Sequence, residues 1–148
     1  MEMKNQKLLI SNRGNLGGRD KEKENKPDTI RAVIDAGFCV KTDIWLIKNK
    51  TVTGVDQPIM EFNLDTVDKE KILIQARNPS AFASLLKEGY HCFWRESDNF
   101  VMTNRNFVLS YAGTLFPHAI LMMPEDNTIM TNDSYIGICS DFIAGYNE

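Results

Sequence analysis

Short apolar runs and amphipathic segments alternate along the first two thirds of the chain. Four apolar runs that end in glycine, asparagine or charged residues predict strands. These runs span residues 7–11, 38–48, 71–78 and 90–96. Two segments that begin at a proline and end at a glycine predict helices, and they span residues 27–37 and 79–89. Between them the pattern predicts a charged loop, a turn with a third short strand, and a second loop, at residues 18–26, 49–58 and 62–70.

The last third of the chain has short apolar runs with few helical patterns between them. Three such runs predict strands, at residues 99–113, 119–124 and 134–145. Because strand and helix alternate up to about residue 96, the order favours parallel strands joined by crossover helices. Eight full strand–helix units need about 250 residues. A chain of 148 residues therefore predicts a trimmed barrel or an open α/β sheet, as one domain over residues 1–148.

Composition and charge limit which partners and which cellular compartment are expected. The net charge of −3 argues against wholesale binding of duplex nucleic acid, which requires a basic surface. Three cysteines without a CxxC pair indicate buried free thiols from a reducing compartment. The apolar runs are too short for a signal peptide or a membrane span. A cytoplasmic location is the resulting expectation.

Four motifs occur in a fixed order over residues 8–58: "NRGNLGG", "ENKPDTIRAVIDAGF", "VKTDIWL" and "GVDQP". In that order they resemble the glycerophosphodiester phosphodiesterase family, whose wider group includes phosphatidylinositol-specific phospholipase C. "IGICSDF" at 136–142 looks like the family's closing strand, and segments 72–113 and 120–126 resemble a short form of it. The resemblance implies a reduced TIM-barrel-like (β/α) fold with fewer helices in the C-terminal half.

The resemblance also implies a chemistry for the site. In active members two histidines act as general acid and base, and the carboxylates of an E-x-D motif bind magnesium or calcium. The arginine after the first histidine holds the phosphate. Such groups suit phosphodiester cleavage, which needs proton transfer and charge neutralisation on the phosphoryl group.

In this sequence the histidines of that pattern are replaced. Asn12 and Val55 stand where the two catalytic histidines are expected, and Lys41 stands where the first E-x-D carboxylate is expected. In the short-form motifs, amide or cationic side chains replace two further histidines and a lysine, at Gln75, Arg95 and Arg77 respectively. The retained family residues are Arg13, Gly14, Glu24, Asn25, Asp43 and Asp56.

Most of these replacements change the chemistry in the same way: amide or cationic side chains stand where histidine or glutamate is expected. Asparagine and valine cannot transfer the proton. Lys41 lies on the same face of its strand as Asp43, where an ammonium would repel a divalent ion or take its charge position. The pattern favours a site that binds phosphate without cutting it and needs no cofactor. The predicted ligand-binding residues are Asn12, Arg13, Glu24, Lys41, Asp43, Arg77 and Arg95.

The expected ligand is a small phosphodiester or a nucleotide, sensed or sequestered; a virus or phage that removes a host signal would use such a sponge. One alternative is an active metal-dependent phosphodiesterase with a rebuilt site. There Glu24, Asp43 and Asp56 would bind magnesium or calcium, and His91 or His118 would move into place. Another alternative is a structural or interaction protein with a vestigial pocket, in which Lys41 and Asp43 only stabilise the interior. A homo-oligomer would cover strand edges that the few helices leave open.

Overall fold

The computed structural model describes residues 7–111, 117–127 and 134–146. In these residues a mixed sheet of ten strands carries three α-helices. The strands are β1 (Leu8–Asn12), β2 (Cys39–Ile47), β3 (Lys50–Thr53), β4 (Met60–Glu61), β5 (Ile72–Ala76), β6 (Cys92–Phe93), β7 (Phe100–Met102), β8 (Val108–Ser110), β9 (Ala119–Met122) and β10 (Gly137–Ser140). The helices are α1 (Pro27–Asp35), α2 (Pro79–Lys87) and α3 (Pro124–Asn127). Single 3₁₀ turns lie at Leu64–Thr66, Lys69–Lys71 and Ile143–Tyr146.

Eight strands of the curled sheet pair one after another along a continuous path, in the order β6-β5-β2-β1-β10-β9-β8-β7. Every neighbouring pair along this path is parallel except β7 and β8. The hairpin of β3 and β4 extends the sheet from the second half of β2. Since seven strands run the same way, their carboxyl ends meet at one edge of the sheet. Side chains that follow these strands are therefore brought together.

The sheet has a hydrophobic core on each face. On the outer face α1 and α2 pack against the strands, as Ile30 and Leu85 do against Val40 and Ile74. The buried apolar side chains of the inner face come from the strands and alternate with those of the outer face. They are Leu8, Ile10, Cys39, Leu73, Phe93, Val101, Leu109, Ile120, Met122 and Cys139. Continuing that alternation toward the carboxyl ends predicts which polar side chains share the inner face.

The α/β class predicted from the pattern is confirmed, and α1 and α2 are the crossovers that join parallel strands. The connection from β2 to β5 differs, because a hairpin and two 3₁₀ turns take the place of a helix. The strand predicted at 90–96 is reduced to β6, and the strand predicted at 99–113 is a hairpin of β7 and β8. Its turn includes Asn106 at φ 64°; residues 112 and 113 lie outside the described residues.

The C-terminal part has few helices, as the pattern predicts: within the described residues after 96, α3 is the one α-helix and has four residues. None of the helices in the described ranges has the length and apolar character that crossing a bilayer requires.

One polar side chain joins the outer helix layer to the strands that carry the site. Asn78 accepts a hydrogen bond from the backbone N–H of Ala81 and so caps α2. The same side chain accepts from the N–H of Leu46 and donates to its carbonyl oxygen, at 3.1 and 3.0 Å. The end of β5 is thus held against the second half of β2. This contact places Arg77, the residue before Asn78, beside Asp43.

Candidate functional site

A buried carboxylate surrounded by cations lies at the carboxyl edge of the parallel strands. Asp43 has no exposed surface. Its Oδ1 accepts from Lys41 Nζ at 2.9 Å and from Arg77 Nε and Nη2 at 2.9 and 2.6 Å. Its Oδ2 accepts from Arg13 Nε at 2.8 Å and from Asn25 Nδ2 at 3.0 Å. We call these five residues the Asp43 cluster.

Strand register brings the cluster together from distant parts of the chain. Lys41 and Asp43 are two residues apart on β2, so both project to the inner face. Asp43 is paired with Gln75 of β5, and Arg77 follows two residues later on the same face. The N–H of Arg13, just after β1, donates to the carbonyl of Lys41 at 2.7 Å. Lys41 and Asp43 share a face, as the alternation predicts, and their side chains form an ion pair at 2.9 Å.

Two members of the cluster hold a left-handed backbone conformation, which is uncommon for residues other than glycine. Arg13 has φ 61° and Asn25 has φ 62°. The N–H of Asn25 donates to the carbonyl of Arg13 at 2.8 Å, and the Asn25 side chain accepts from the Thr42 hydroxyl at 2.8 Å. These bonds maintain conformations that are costly in isolation, a feature that clusters at functional sites.

The cluster carries more positive than negative charge. Burial would raise the pKa of the Asp43 carboxyl, but the charges of Lys41, Arg13 and Arg77 together hold that pKa well below its usual range. Burial lowers the pKa of Lys41, and the attraction of Asp43 opposes that effect only in part. With Lys41 protonated, three cations face one carboxylate. The local environment therefore favours a further anion.

Some guanidinium donors of the cluster have no partner in the described part of the chain. Arg13 uses only Nε, and Arg77 uses Nε and Nη2. The side chains of Arg13 and Arg77 are 16% and 22% exposed, whereas Lys41 and Asp43 are enclosed. The remaining N–H groups can thus meet a ligand from solvent, while the buried pair holds the guanidiniums in place.

A second polar network lies beside the cluster, and it includes Asn12 and Glu24. Asn12 and Asn15 each donate to Asp141 Oδ1 at 2.9 Å. Asn15 also donates to Glu24 at 3.2 Å, and Arg19 forms an ion pair with Glu24 at 3.1 Å. Asn12 is the sheet neighbour of Lys41, so the two networks adjoin. Asn12 and Glu24 thus have partners within the protein, and we call these five residues the Asp141 network.

Arg95 does not join the hydrogen bonds around Asp43. Its guanidinium lies over the ring of Tyr111 at 3.6 Å, and its Nε donates to the carbonyl of Asp98 at 3.0 Å. Trp94 packs on the opposite face against Phe82, as strand alternation predicts. Arg95 is thereby linked to the inner face through an aromatic ring rather than through a carboxylate.

The predicted residues therefore fall into three groups. Arg13, Lys41, Asp43 and Arg77 form one contact cluster, Asn12 and Glu24 belong to the adjoining network, and Arg95 contacts Tyr111. Sequence reasoning did not assign Asp141, Asn15 and Tyr111 to the site. Asp141 directly follows β10 at the same sheet edge as Asp43, and Tyr111 directly follows β8. Their position at strand ends was the available signal; Asn15 offered none beyond its place in the glycine-rich loop.

The two histidines lie away from this edge. His91 and His118 precede β6 and β9, whereas the cluster residues lie toward the carboxyl ends of strands parallel to these. His91 is buried against Thr103, with 2.7 Å between its Nε2 and the hydroxyl oxygen, and burial lowers its pKa to about 4. Neither histidine belongs to the Asp43 cluster or to the Asp141 network.

The described residues show clefts near this edge of the sheet but no cluster of metal-ligating side chains. In the described ranges no group of three or more histidine, cysteine, aspartate or glutamate residues could hold a metal ion. A cleft of about 900 Å³ lies between the glycine-rich loop and α1 and is not lined by the Asp43 carboxylate. A smaller cleft of about 220 Å³ reaches Glu24 and Asn25 between that loop and Gly54. Cys39, Cys92 and Cys139 are free and buried, as predicted.

Chemically, this arrangement can hold an anion, because cationic donors with unused N–H groups converge at a partly exposed position. Within the Asp43 cluster the pKa of Asp43 lies far below neutrality, so its carboxylate is a poor proton acceptor there. The chain matches no protein-family model, no curated protein and no solved structure.

Proposed function

We propose that the chain is a non-catalytic phosphodiesterase-like protein that binds a small phosphate-containing ligand at the Asp43 cluster. The fold would be a reduced TIM-barrel-like form, with the ligand at the carboxyl ends of the strands. The observation that carries the proposal is the excess of positive charge around Asp43. Three cations contact one carboxylate, and two of them keep donors for another anion.

The buried Asp43 has a clear role in such a site. It holds three like charges close together while the ligand is absent, and it fixes the guanidinium planes of Arg13 and Arg77. Guanidinium donors that are already held in position lose little conformational freedom when the anion binds. Arginine suits phosphate because its planar fork can donate two parallel hydrogen bonds to phosphate oxygens.

Binding without cleavage follows from what the cluster lacks. Hydrolysis of a phosphodiester needs a group that takes a proton and one that gives it near neutral pH. The side chains in the cluster are cations, one amide and a carboxylate with a depressed pKa. Lys41 lies 2.9 Å from Asp43 Oδ1, so a cation already occupies the position beside this carboxylate that a metal would need.

Acceptor groups beside the cluster suit the rest of a nucleotide-like ligand. Asp141 accepts from Asn12 and Asn15 through Oδ1, and Glu24 lines the cleft next to Asn25. Carboxylate oxygens are acceptors for hydroxyl groups, such as those of ribose or glycerol. A protein of this kind would sense or sequester a nucleotide signal, as a viral or phage sponge does.

The decisive experiment is a thermal-shift screen with inorganic phosphate, glycerophosphodiesters and mono-, di- and cyclic nucleotides. A ligand that binds the folded state alone raises the melting temperature. For a ligand found in this way, Arg13→Ala should weaken binding about tenfold or more, since a hydrogen bond to a charged group contributes about 1.5–3 kcal/mol. Arg31→Ala is the matched control, because within the described residues Arg31 contacts Asp28, Thr66 and the Phe62 ring on α1's side of the sheet, away from the Asp43 cluster.

Two results would refute the proposal. If no phosphate compound shifts the melting temperature, or if Arg13→Ala leaves the affinity unchanged, the Asp43 cluster is not the binding site. The metal-dependent alternative is tested by hydrolysis of bis(p-nitrophenyl) phosphate with added magnesium, calcium or manganese. Turnover that disappears in a folded Asp43→Ala variant would identify an enzyme instead of a binding protein.

A further inference from the structure

The Tyr111 side chain offers an unused hydrogen-bond donor on the inner face of the sheet. Tyr111 follows β8 directly, two residues after Leu109, so its ring joins the inner-face core. The hydroxyl oxygen is buried and has no hydrogen-bond partner in the described part of the chain. Buried phenols usually find a partner, so an unpaired one at this position requires an explanation.

The surroundings of the ring indicate what kind of partner is missing. Burial raises the pKa of Tyr111, as does the nearby Cys139; the charges of Arg95 and Arg77 oppose that rise, and that of Asp43 supports it. Tyr111 packs against the inner-face core that includes Cys39 of β2, and Lys41 of the Asp43 cluster follows Cys39 by two residues on the same face. Asp43 already accepts from four side chains. The Arg95 guanidinium over the ring is itself a donor, so an acceptor oxygen from a bound ligand would complete the hydrogen bonding of the phenol O–H.

We infer that the Tyr111 hydroxyl donates a hydrogen bond to an oxygen of the bound phosphate group. This inference rests on the proposed function and adds a contact from Tyr111, the residue after β8, to the contacts from residues on or just after β1, β2 and β5. A phosphate group has several acceptor oxygens, so one can meet the phenol while others meet the guanidiniums of Arg13 and Arg77. The ligand class is therefore an oxyanion with several acceptor atoms.

Arg95 acts as a positioning residue in this arrangement. Its guanidinium covers the Tyr111 ring at 3.6 Å, and its Nε is held by the Asp98 carbonyl. Such stacking is favourable for arginine and restricts the ring. It also gives Arg95, which the sequence pattern predicts as a ligand contact, an indirect role: it orients the phenol that touches the ligand.

Tyr111→Phe tests the inference because it removes the hydroxyl and keeps the ring under Arg95. Calorimetry with inorganic phosphate should show an affinity about tenfold to a hundredfold lower than that of the wild type, the effect of losing one hydrogen bond to a charged group. Without phosphate the variant should melt at or slightly above the wild-type temperature, because an unpaired buried hydroxyl is lost. Tyr146→Phe is the matched control, since Tyr146 packs in the outer-face core.

The outcomes separate the two proposals. Equal phosphate affinity in the wild type and Tyr111→Phe would overturn the role of Tyr111 and leave the proposed function standing. A Tyr111→Phe variant that melts far below the wild type would reveal a partner for the hydroxyl within the protein and would also overturn it. A wild type that binds no phosphate would overturn the proposed function and this inference together.

Discussion

Replacing Asp43 by asparagine tests whether the carboxylate holds the cationic cluster together. The substitution keeps the size of the side chain and one acceptor oxygen, and it removes the negative charge. Lys41 then remains 3% exposed with no counter-charge in the cluster. Arg13 and Arg77 would repel Lys41 and each other, because the carboxylate between them no longer carries a negative charge. We expect a folded but clearly less stable protein.

The exposure of the three cations sets the size of the effect. Removing one partner of a buried ion pair costs about 3–5 kcal/mol. Arg13 and Arg77 are 16% and 22% exposed, so both can turn toward solvent and recover hydration, whereas Lys41 cannot. We therefore expect a loss near the lower limit, about 3 kcal/mol in the free energy of unfolding. For a chain of this size, that corresponds to a melting temperature roughly 6–12 °C lower.

Urea denaturation followed by the fluorescence of Trp45 and Trp94 measures this loss. Asp28→Asn is the matched control, because the Asp28 side chain is fully exposed and has one ion pair, with Arg31 at 3.1 Å. That control should change the free energy of unfolding by less than about 0.5 kcal/mol. A loss below about 1 kcal/mol for Asp43→Asn would refute the view that the carboxylate neutralises a buried cation.

The stability difference between the wild type and Asp43→Asn should depend on pH, with a sign that follows from the Asp43 pKa. That pKa lies below its ordinary value of 3.8 in the folded state. Above the ordinary value both folded and unfolded states are ionised, and the stabilisation is fully present. As the pH falls below it, the unfolded state binds a proton first and the stabilisation declines. The stability difference between wild type and Asp43→Asn should be constant from about pH 5 to 7 and shrink below about pH 4.

Three further predictions concern the metal, the buried histidine and a tight turn. Calorimetric titration of the ligand-free protein with magnesium or calcium should show no saturable heat, because Asp43 already accepts from four side chains. Wild-type stability should fall as the pH decreases from 6.5 to about 4, since burial lowers the pKa of His91 to about 4 and only the unfolded state binds a proton in that range. His91→Gln should flatten this slope, and an unchanged slope would contradict the assignment to His91. Gly54→Ala should destabilise the fold by about 1–3 kcal/mol, because its Cβ would lie 1.8 Å from the Gln57 carbonyl oxygen. Gly17→Ala, whose Cβ meets no atom within 4 Å, is the control, and equal melting temperatures for these two variants would contradict the steric argument.

Lys41 is the residue at which the sequence-based expectation and the observed electrostatics meet. In the family that the motifs resemble, this position carries a carboxylate that helps to bind a metal. Here its ammonium lies 2.9 Å from Asp43 Oδ1, and Arg77 reaches the same oxygen. Fixed cations from the protein thus surround the Asp43 carboxylate. An anion can still be attracted, because the cations outnumber the carboxylate.

Local periodicity was enough to predict most elements that carry the site. The two-residue alternation over 38–48 placed Lys41 and Asp43 on one face of β2, and the same rule separated Trp94 from Arg95. Pro27 and Pro79 marked the first residues of α1 and α2. These features depend on neighbours within a few residues, so the sequence alone contains the information.

The partners of each polar group were decided by tertiary structure. Register between strands that are distant in sequence brings Arg77 to Asp43 and Asn12 to Asp141, and no local pattern encodes those distances. For that reason the sequence does not reveal that Asn12 donates to Asp141 or that the Arg95 guanidinium lies over the Tyr111 ring. The sequence by itself supplied the list of candidate phosphate-binding residues. The pairing of the parallel strands decided which of these residues have N–H groups without a partner in the described part of the chain. The reason is that side chains from different strands donate to the same buried carboxylates, Asp43 and Asp141.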